Sequence, residues 1–397
     1  MIFDNQLRLA EEIIKSYSFS EPFHLYLKKY FRANKKFGSK DRRLLSSLCY
    51  NYYRLGNILE DLSLSSQIIV SSFIIEKELT PFLEHHLTSA TFKEIPDITA
   101  PIADKLAAFS VKPNDLFKFK AELSEEIDRE AFALSHLQQP DVWIRVNRGF
   151  EEALEQVLTE NEVAFEKHPE ATQAYKVPAK TNLEHILKGK NVLYEVQDLS
   201  SQLVGELFTE SGELWWDCCA GAGGKSLLLK DKLPKADLYV SDVRKSILEN
   251  LAQRFKANKL YSYKFLDINL ANLTTDLIVF DPDKKYVHTN HFDNIIVDAP
   301  CSGSGTWGRA PENLNFFNET LIAGYQEKQK AIAANAMRFL KSGGSMYYIT
   351  CSVFKAENEE VVNYLTDTFN VTVQQQLTVK GYEQRCDSMF AVKLVKD

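Results

Sequence analysis

The chain of 397 residues is long enough for two or three domains, and its composition, 45% hydrophobic and 25% charged, is typical of a soluble globular protein. No stretch approaches the roughly 20 apolar residues of a membrane helix, and the N-terminus lacks the features of a signal peptide, so we expect a cytoplasmic protein with no membrane partner. The formal net charge of −7 argues mildly against nucleic-acid binding, although the distribution of charge matters more than its sum.

The first 137 residues predict an all-helical domain. Apolar residues recur there at intervals of three and four, as between Leu44 and Leu55, and strand alternation is missing. Between Lys28 and Arg43 the chain carries eight basic residues against one acidic residue, Asp41. Such a run is commonly a solvated helix face, but the interleaved Tyr30 and Phe31 also suit RNA phosphates, and both interpretations stay open. The candidate RNA-binding residues are Lys28, Lys29, Arg32, Lys35, Lys36, Lys40, Arg42 and Arg43.

At Gln139–Pro140 the pattern changes. A strand is predicted over 141–147, a helix over 150–161, and short strands over 163–165 and 174–177. These elements predict a small α+β, RRM-like linker domain over residues 138–188. Modules of this kind often bind RNA.

From residue 189 to the end, strands and helices alternate, which predicts an α/β domain with a mostly parallel, Rossmann-like sheet. A helix capped by Asp198 should run to Phe208, and another should run from 318 to 340 and stop before Gly343–Gly344. Strands are predicted at 191–197, 213–217, 236–242, 263–267, 293–298 and 345–349. Ligands of such sheets bind beyond the carboxyl ends of the strands.

A glycine-rich turn, DCCAGAGGKS over residues 217–226, follows the strand at 213–217 and precedes a helix. The helix N-terminus would favour a ligand with negative or nucleotide-like groups. A P-loop needs glycine where Cys219 stands, and the dinucleotide fingerprint needs glycine where Ser226 stands. An S-adenosylmethionine site has looser glycine demands, and the turn alone does not decide among the three.

Four predicted strands end in aspartate: Asp217, Asp242, Asp267 and Asp298. One such carboxylate is often only a helix cap, but four at one sheet edge indicate a ligand site. Asp242 is placed to accept hydrogen bonds from ribose hydroxyls, and Asp267 is placed to meet the exocyclic amine of adenine.

Two of the six cysteines, Cys301 and Cys351, also follow strand ends. The chain has no C-x-x-C pair, so we expect no structural zinc site and no metal. A thiolate suits addition to an activated ring carbon. Two thiols beside a nucleoside-like site therefore indicate covalent chemistry on a base, and redox pairing of the thiols is the alternative.

These stretches resemble the Sun/RsmB-type RNA (cytosine-5) methyltransferases. The matching runs in the last domain are VQDLSSQL from Val196, DCCAGAGGKS from Asp217, DAPCSGSG from Asp298, YITCSVFKAENEEVV from Tyr348 and, more weakly, DSMFAVKL from Asp387. Upstream, GSKDRRLLSSLCYNYYR from Gly38 resembles the NusB-like helical domain of the RsmB group, and WIRVN from Trp143 resembles its linker domain.

The resemblance implies a role for each matching residue. It makes Cys351 the nucleophile that adds to C6 of cytosine and Cys301 the thiol that assists product release, while Asp298 and Lys225 contact base or cofactor. It implies S-adenosylmethionine as cofactor, bound by Cys219, Ala220, Gly221, Ala222, Gly223, Gly224, Lys225, Asp242, Asp267 and Asp298.

The chain departs from the family in two places. It has CAGAGGKS where the family more often has CAAPGGKT, which loses a proline but keeps the backbone donors and Lys225. It also has DSMF in place of DGFF near the end. The favoured hypothesis is a monomeric RNA cytosine-5 methyltransferase acting on rRNA, with tRNA as the second choice of substrate. A non-catalytic RNA-binding assembly factor is the alternative from another class, and a P-loop NTPase is opposed by Cys219.

Overall fold

The computed structural model describes residues 2–87, 95–179, 181–190, 192–209, 212–280 and 285–397. The α-helices are α1 (Ile2–Ser16), α2 (Phe23–Ala33), α3 (Ser39–Arg54), α4 (Leu64–Ile75), α5 (Pro81–Leu87), α6 (Ile102–Ala107), α7 (Arg129–Ser135), α8 (Glu151–Glu160), α9 (Leu183–Ile186), α10 (Leu199–Val204), α11 (Gly224–Lys232), α12 (Lys245–Ala257), α13 (Asn313–Phe316), α14 (Leu321–Met337) and α15 (Glu359–Thr368). The β-strands are β1 (Val142–Val146), β2 (Glu166–Lys167), β3 (Ala174–Val177), β4 (Tyr194–Val196), β5 (Leu214–Asp217), β6 (Asp237–Val240), β7 (Lys264–Phe265), β8 (Leu277–Phe280), β9 (Lys285–His288), β10 (Phe292–Asp298), β11 (Leu340–Thr350), β12 (Val371–Val379) and β13 (Met389–Lys396).

The chain divides into two compact units. The first comprises Met1–Lys120, Asp128–Gln139 and Thr306–Glu319. Its regular elements within the described residues are helical, as predicted, and Leu45, Leu48 and Cys49 of the predicted apolar face are buried. Arg54, also buried, donates hydrogen bonds to the carbonyls of His136 and Gly308, which ties α3 to the two later segments of this unit.

The second unit comprises Ala121–Ile127, Pro140–Gly305 and Thr320–Asp397. Its large sheet has the order β12-β13-β11-β10-β5-β6-β7, in which β11, β10, β5, β6 and β7 are parallel. β13 pairs antiparallel with both β11 and β12. Because side chains alternate across a strand, Trp216 and Trp215 are buried in hydrophobic clusters on opposite faces. The predicted mostly parallel sheet is confirmed.

A smaller antiparallel sheet, β2-β3-β1-β4, lies in the same unit. Leu154 and Leu158 of α8 pack on it beside Ile144 and Tyr175. The strand predicted at 191–197 is observed as β4, and it pairs with β1 of this small sheet. The predicted division at residues 137/138 and 188/189 into three domains stays a prediction.

Two element predictions were wrong in detail. Val163–Phe165 is not a strand; the strand β2 follows it at Glu166–Lys167 and pairs with β3. The long helix α14 ends at Met337, and Gly343, with φ of 76°, lies inside β11 instead of stopping the helix. A bulge in the pairing of β10 with β11 accommodates this bend.

Candidate active site

The glycine-rich turn joins β5 to α11 at the carboxyl edge of the large sheet. Gly221 and Gly223 have positive φ values of 53° and 83°. A Cβ on Gly223 would lie 2.5 Å from a ring carbon of Phe255, so both its conformation and its surroundings require glycine. Ala220 N–H donates to the Ser241 carbonyl, which ties the turn to the chain that follows β6.

Asp242 lies two residues beyond the observed end of β6 and holds this turn. Its Oδ2 accepts the Gly221 N–H at 3.0 Å, and its two oxygens also accept hydrogen bonds from Arg244. Burial alone would raise the pKa of Asp242, but the hydrogen bonds and charge of Arg244 lower it below its ordinary value. Asp242 is therefore a carboxylate at neutral pH, and its oxygens are acceptors beside the glycine turn.

Asp217, the last residue of β5, is fully buried beneath the turn. Its Oδ2 accepts the Ser226 hydroxyl at 2.6 Å, whereas its Oδ1 has no hydrogen-bond partner among the described residues. Burial raises the pKa of Asp217 to about 7, and the charge of Asp298 adds to the shift.

Lys225 and Asp298 form an ion pair of 2.7 Å between Nζ and Oδ2. Lys225 lies in the first turn of α11, and Asp298 ends β10. Burial lowers the pKa of Lys225, but the charge and hydrogen bond of Asp298 outweigh it and raise that pKa overall. The lysine is therefore a cation, held where the glycine turn and the Cys301 loop approach each other.

Cys301 and Cys351 are brought together by adjacent parallel strands, β10 and β11. Their sulfur atoms lie 3.3 Å apart, and both residues are half-buried. The hydrogen bond with Cys351, burial and the negative charges of Cys351 and Glu357 raise the pKa of Cys301 well above its ordinary value. Cys301 is accordingly a thiol at neutral pH, and it can hold a proton beside the sulfur of Cys351.

The remaining predicted cofactor residues lie along the same edge. Cys219, Ala220 and Ala222 belong to the turn itself. Asp267 follows β7, its side chain is 89% exposed, and its nearest ion-pair partner, Lys245, is 4.0 Å away. The structure thus places Asp267 at the rim of this edge, in solvent, where it is open to a ligand.

All eight basic residues between Lys28 and Arg43 are exposed on α2, the following loop and the start of α3. Phe31 and Phe37 are buried beneath them. Gly38 is the N-cap of α3, which begins at Ser39. The eight basic residues therefore form an exposed cationic surface above buried aromatic side chains.

The sequence analysis did not single out Glu357, which is fully buried beside both cysteine loops. It accepts hydrogen bonds from Ser302 and Ser352, each of which directly follows one of the two cysteines. The only signal in the sequence is its place in the run AENEEVV, where the half-buried Glu359 and the exposed Glu360 look the same.

The residues of the turn fit S-adenosylmethionine on structural grounds. Asp242 is a charged acceptor beside the turn, and Asp267 is an exposed acid along the same edge. A nucleoside with a charged amino-acid tail needs acceptors of these kinds for its hydroxyl and ammonium groups.

The part of the chain that contains this sheet edge is similar to known proteins. Residues 206–394 match the family model described as 16S rRNA methyltransferase RsmB/F. A curated relative from Serratia proteamaculans, ribosomal RNA small subunit methyltransferase B, is 29% identical over 229 residues, 57% of this chain and 51% of the relative. The chain thus aligns with about half the length of the curated relatives it matches.

Solved structures show the same fold. A crystal structure of PH0851 superposes with a TM-score of 0.69 at 19% identity and covers 98% of this chain and 97% of that one. A structure described as NSun6 from Pyrococcus horikoshii with SFG has a TM-score of 0.55 at 15% identity and covers 68% and 96% of the two chains. The predicted Rossmann-like methyltransferase sheet is confirmed, and methyltransferases of this type use S-adenosylmethionine. The NusB-like character of the helical part stays a prediction.

Among the described residues, the helices are all too short or too polar to span a bilayer.

Proposed function

We propose that the protein methylates C5 of a cytosine in RNA, using S-adenosylmethionine, on the premise that residues 206–394, which match the RsmB/F model, form a methyltransferase domain of that type. The observation that carries the proposal is the pair of sulfur atoms 3.3 Å apart at the sheet edge that also holds the glycine turn. One thiol can attack a base while the other supplies a proton. A methyltransferase with no covalent step needs neither.

The chemistry requires a nucleophile because C5 of cytosine is itself a poor one. Addition of the Cys351 thiolate to C6 pushes electrons to C5, which can then take the methyl group. A hydrogen bond to N3 of the cytosine, donated from the Lys225–Asp298 pair, favours this addition. The electrophilic methyl group is what S-adenosylmethionine supplies when bound. Solvent water then takes the C5 proton, the electron pair of that C–H bond forms the C5–C6 double bond, and the C6–S bond breaks, which releases Cys351 and leaves 5-methylcytosine.

Cys301 suits the release step. Its raised pKa keeps Cys301 protonated at neutral pH, so it can give a proton to the sulfur of Cys351, 3.3 Å away, as that sulfur leaves the base. We assign Cys351 to attack and Cys301 to release. The target base must be single-stranded or flipped out, since the ring is out of reach within a duplex.

We propose rRNA as the substrate class, ahead of tRNA. The support is the matched family model and the name of the curated relative, both of which refer to rRNA of the small subunit. The exposed basic residues from Lys28 to Arg43 are the proposed phosphate contacts in a NusB-like helical domain. Bisulfite sequencing of total RNA with and without the protein tests both choices, because one lost methylcytosine identifies the RNA and the site.

Substituting each cysteine in turn distinguishes the roles of the two thiols. Cys301→Ala should leave attack intact and impair release, so a slow-migrating protein–RNA band should accumulate on a denaturing gel after incubation with RNA and S-adenosylmethionine. Cys351→Ala should give no band and no methylation. Cys386→Ala, a buried cysteine in a separate cluster, is the matched control and should behave as wild type. A band with Cys351→Ala alone would make Cys301 the nucleophile, and a band with neither variant would refute the covalent mechanism.

A further inference from the structure

Glu357 is a fully buried carboxylate that lies between the loops of the two cysteines. It ends a short 3-10 turn, Lys355–Glu357, just after the Cys351 loop. We propose that Glu357 is a positioning residue that sets the distance between Cys301 and Cys351. The inference rests on the proposed covalent mechanism for its functional meaning, but the geometry that it explains does not depend on that mechanism.

On the Cys301 side, the carboxylate fixes the residue that follows the cysteine. Its Oε1 accepts the Ser302 N–H at 2.8 Å, and its Oε2 accepts the Ser302 hydroxyl at 2.5 Å. Gln329, also fully buried, donates from one amide nitrogen to Glu357 Oε1 and to the Pro300 carbonyl, both at 3.0 Å. Cys301 is thus held from both neighbouring residues, and both attachments lead to Glu357.

On the Cys351 side, the Glu357 oxygen that accepts the Ser302 hydroxyl also binds the residue that follows the cysteine. Glu357 Oε2 accepts the Ser352 hydroxyl at 2.5 Å, and the Ser302 and Ser352 hydroxyl oxygens lie 3.3 Å apart. The next residue, Asn358, donates to the Ser352 carbonyl at 2.9 Å and accepts the Thr350 hydroxyl. The adjacent residues Glu357 and Asn358 therefore hold the chain on both sides of Cys351 by hydrogen bonds.

A single carboxylate oxygen thus joins the residues that follow the two cysteines. A carboxyl group buried in this way is tolerated only with several good hydrogen-bond donors, and three of the four donors to the Glu357 side chain come from Ser302 and Ser352. A carboxylate that served only to fill the core could take its donors from anywhere nearby. Here the hydrogen bonds converge on the residues that determine where the two sulfur atoms lie.

The test uses one variant that changes the carboxyl group of Glu357 and one that removes a serine hydroxyl bound to it. Glu357→Gln keeps the shape but replaces one acceptor oxygen with an amide that cannot accept the serine hydroxyls. Ser352→Ala removes the hydroxyl that donates to Glu357 and that also bonds Ser302, Ser304 and the Phe354 N–H, and this smaller change keeps the test informative if Glu357→Gln folds poorly. Glu360→Gln, on the exposed face of the following helix, is the matched control.

The first measurement needs neither RNA nor cofactor. Hydrogen peroxide joins two thiols into a disulfide and is itself reduced to two waters, and peptide mass spectrometry follows the Cys301–Cys351 cross-link over time. If Glu357 holds the sulfurs together, Glu357→Gln should slow cross-linking at least about tenfold, while Glu360→Gln should match wild type. Unchanged cross-linking in both Glu357→Gln and Ser352→Ala would overturn the proposal.

The second measurement is single-turnover methylation of substrate RNA. Displacing a reacting group by about 1 Å can cost on the order of 100-fold in rate, so we expect a loss of that order for Glu357→Gln with unaltered S-adenosylmethionine affinity. Because Glu357 and Ser352 are joined by a hydrogen bond, the loss in the double variant with Ser352→Ala should be clearly less than additive. Additive losses would mean that Ser352 and Glu357 act separately and would overturn the proposal. If wild type does not methylate RNA but Glu357→Gln still slows cross-linking, the positioning role stands and the proposed function fails.

Discussion

Replacing Asp217 with asparagine should stabilise the protein at alkaline pH. Asp217 is fully buried, one oxygen accepts the Ser226 hydroxyl, and the other oxygen has no hydrogen-bond partner among the described residues. Burial raises its pKa from 3.8 to about 7. In the folded protein this carboxyl therefore keeps its proton to higher pH than it does in the unfolded chain.

The sign of the effect follows from proton binding. Below pH 3.8 the group is protonated in both states, so its ionisation has no effect on stability. Between pH 3.8 and 7 the folded state binds more protons, and stability falls as pH rises. At roughly 1.4 kcal/mol for each pKa unit, the cost is about 2 kcal/mol at pH 5 and about 4 kcal/mol at pH 8.

The Asp217→Asn substitution replaces the carboxyl with a neutral group of the same shape. The carboxamide oxygen can still accept the Ser226 hydroxyl, but the new N–H group takes the place of the unpaired oxygen and costs about 1–3 kcal/mol. That cost does not depend on pH. The stability of the variant relative to wild type should therefore rise by about 2–3 kcal/mol between pH 5 and pH 8, and the variant should be the more stable protein at pH 8.

Urea unfolding at a series of pH values measures this difference. Tryptophan fluorescence reports on the large sheet, because Trp215 and Trp216 directly precede Asp217 in β5. Asp267→Asn, at an 89% exposed side chain, is the control and should follow the wild-type pH dependence. A constant stability difference between Asp217→Asn and wild type across this pH range would refute the reasoning, since it would mean that Asp217 ionises equally in both states.

Three further predictions concern the site and the basic surface. Asp242→Ala removes the acceptor that holds the Gly221 N–H, so calorimetry should show a loss of about 1–3 kcal/mol in S-adenosylmethionine binding with RNA binding retained; wild-type affinity would mean that Asp242 does not face the cofactor. Lys225→Met leaves the one-third-exposed Asp298 without its partner and should lower the free energy of unfolding by about 1–3 kcal/mol, most of which Asp298→Asn should restore in the double variant; equal losses in single and double variants would contradict the ion pair's role. Neutralising four basic residues together should weaken RNA binding and reduce its salt dependence without changing cofactor affinity, whereas an unaltered salt slope would identify a merely solvated face. The four are Lys35, Lys36, Arg42 and Arg43.

Much of the large sheet could be predicted because its signals are local. Apolar runs bounded by turn residues identified β5, β6, β10 and the end of β11, and each run carries its own hydrophobic pattern. The glycine turn was equally visible, since the positive φ of Gly223 and its contact with Phe255 leave little choice of residue. Because the carboxyl ends of parallel strands meet at one edge of a sheet, the candidate site residues at those strand ends could also be predicted to lie together.

Other features depend on contacts between distant segments, which local patterns do not reveal. The strand after Val163 begins three residues later than predicted because its position is set by pairing with β3. The segment Thr306–Glu319 packs with the helical unit although the chain on either side belongs to the other unit. Glu357 was missed for the same reason, since its partners Ser302, Gln329 and Ser352 come from three separate stretches.

The four strand-end acids show how one sequence pattern can serve different physical ends. The electrostatic repulsion among the four carboxyl groups is reduced at each one by a different means. Burial favours the protonated form of Asp217, Arg244 compensates the charge of Asp242, Lys225 compensates that of Asp298, and Asp267 lies in solvent. Because each acid has a separate means of compensation, four carboxyls can share one sheet edge without a strongly negative field. An edge balanced in this way can accept a positively charged cofactor and an anionic nucleic acid at the same time, as the proposed methyl transfer to RNA requires.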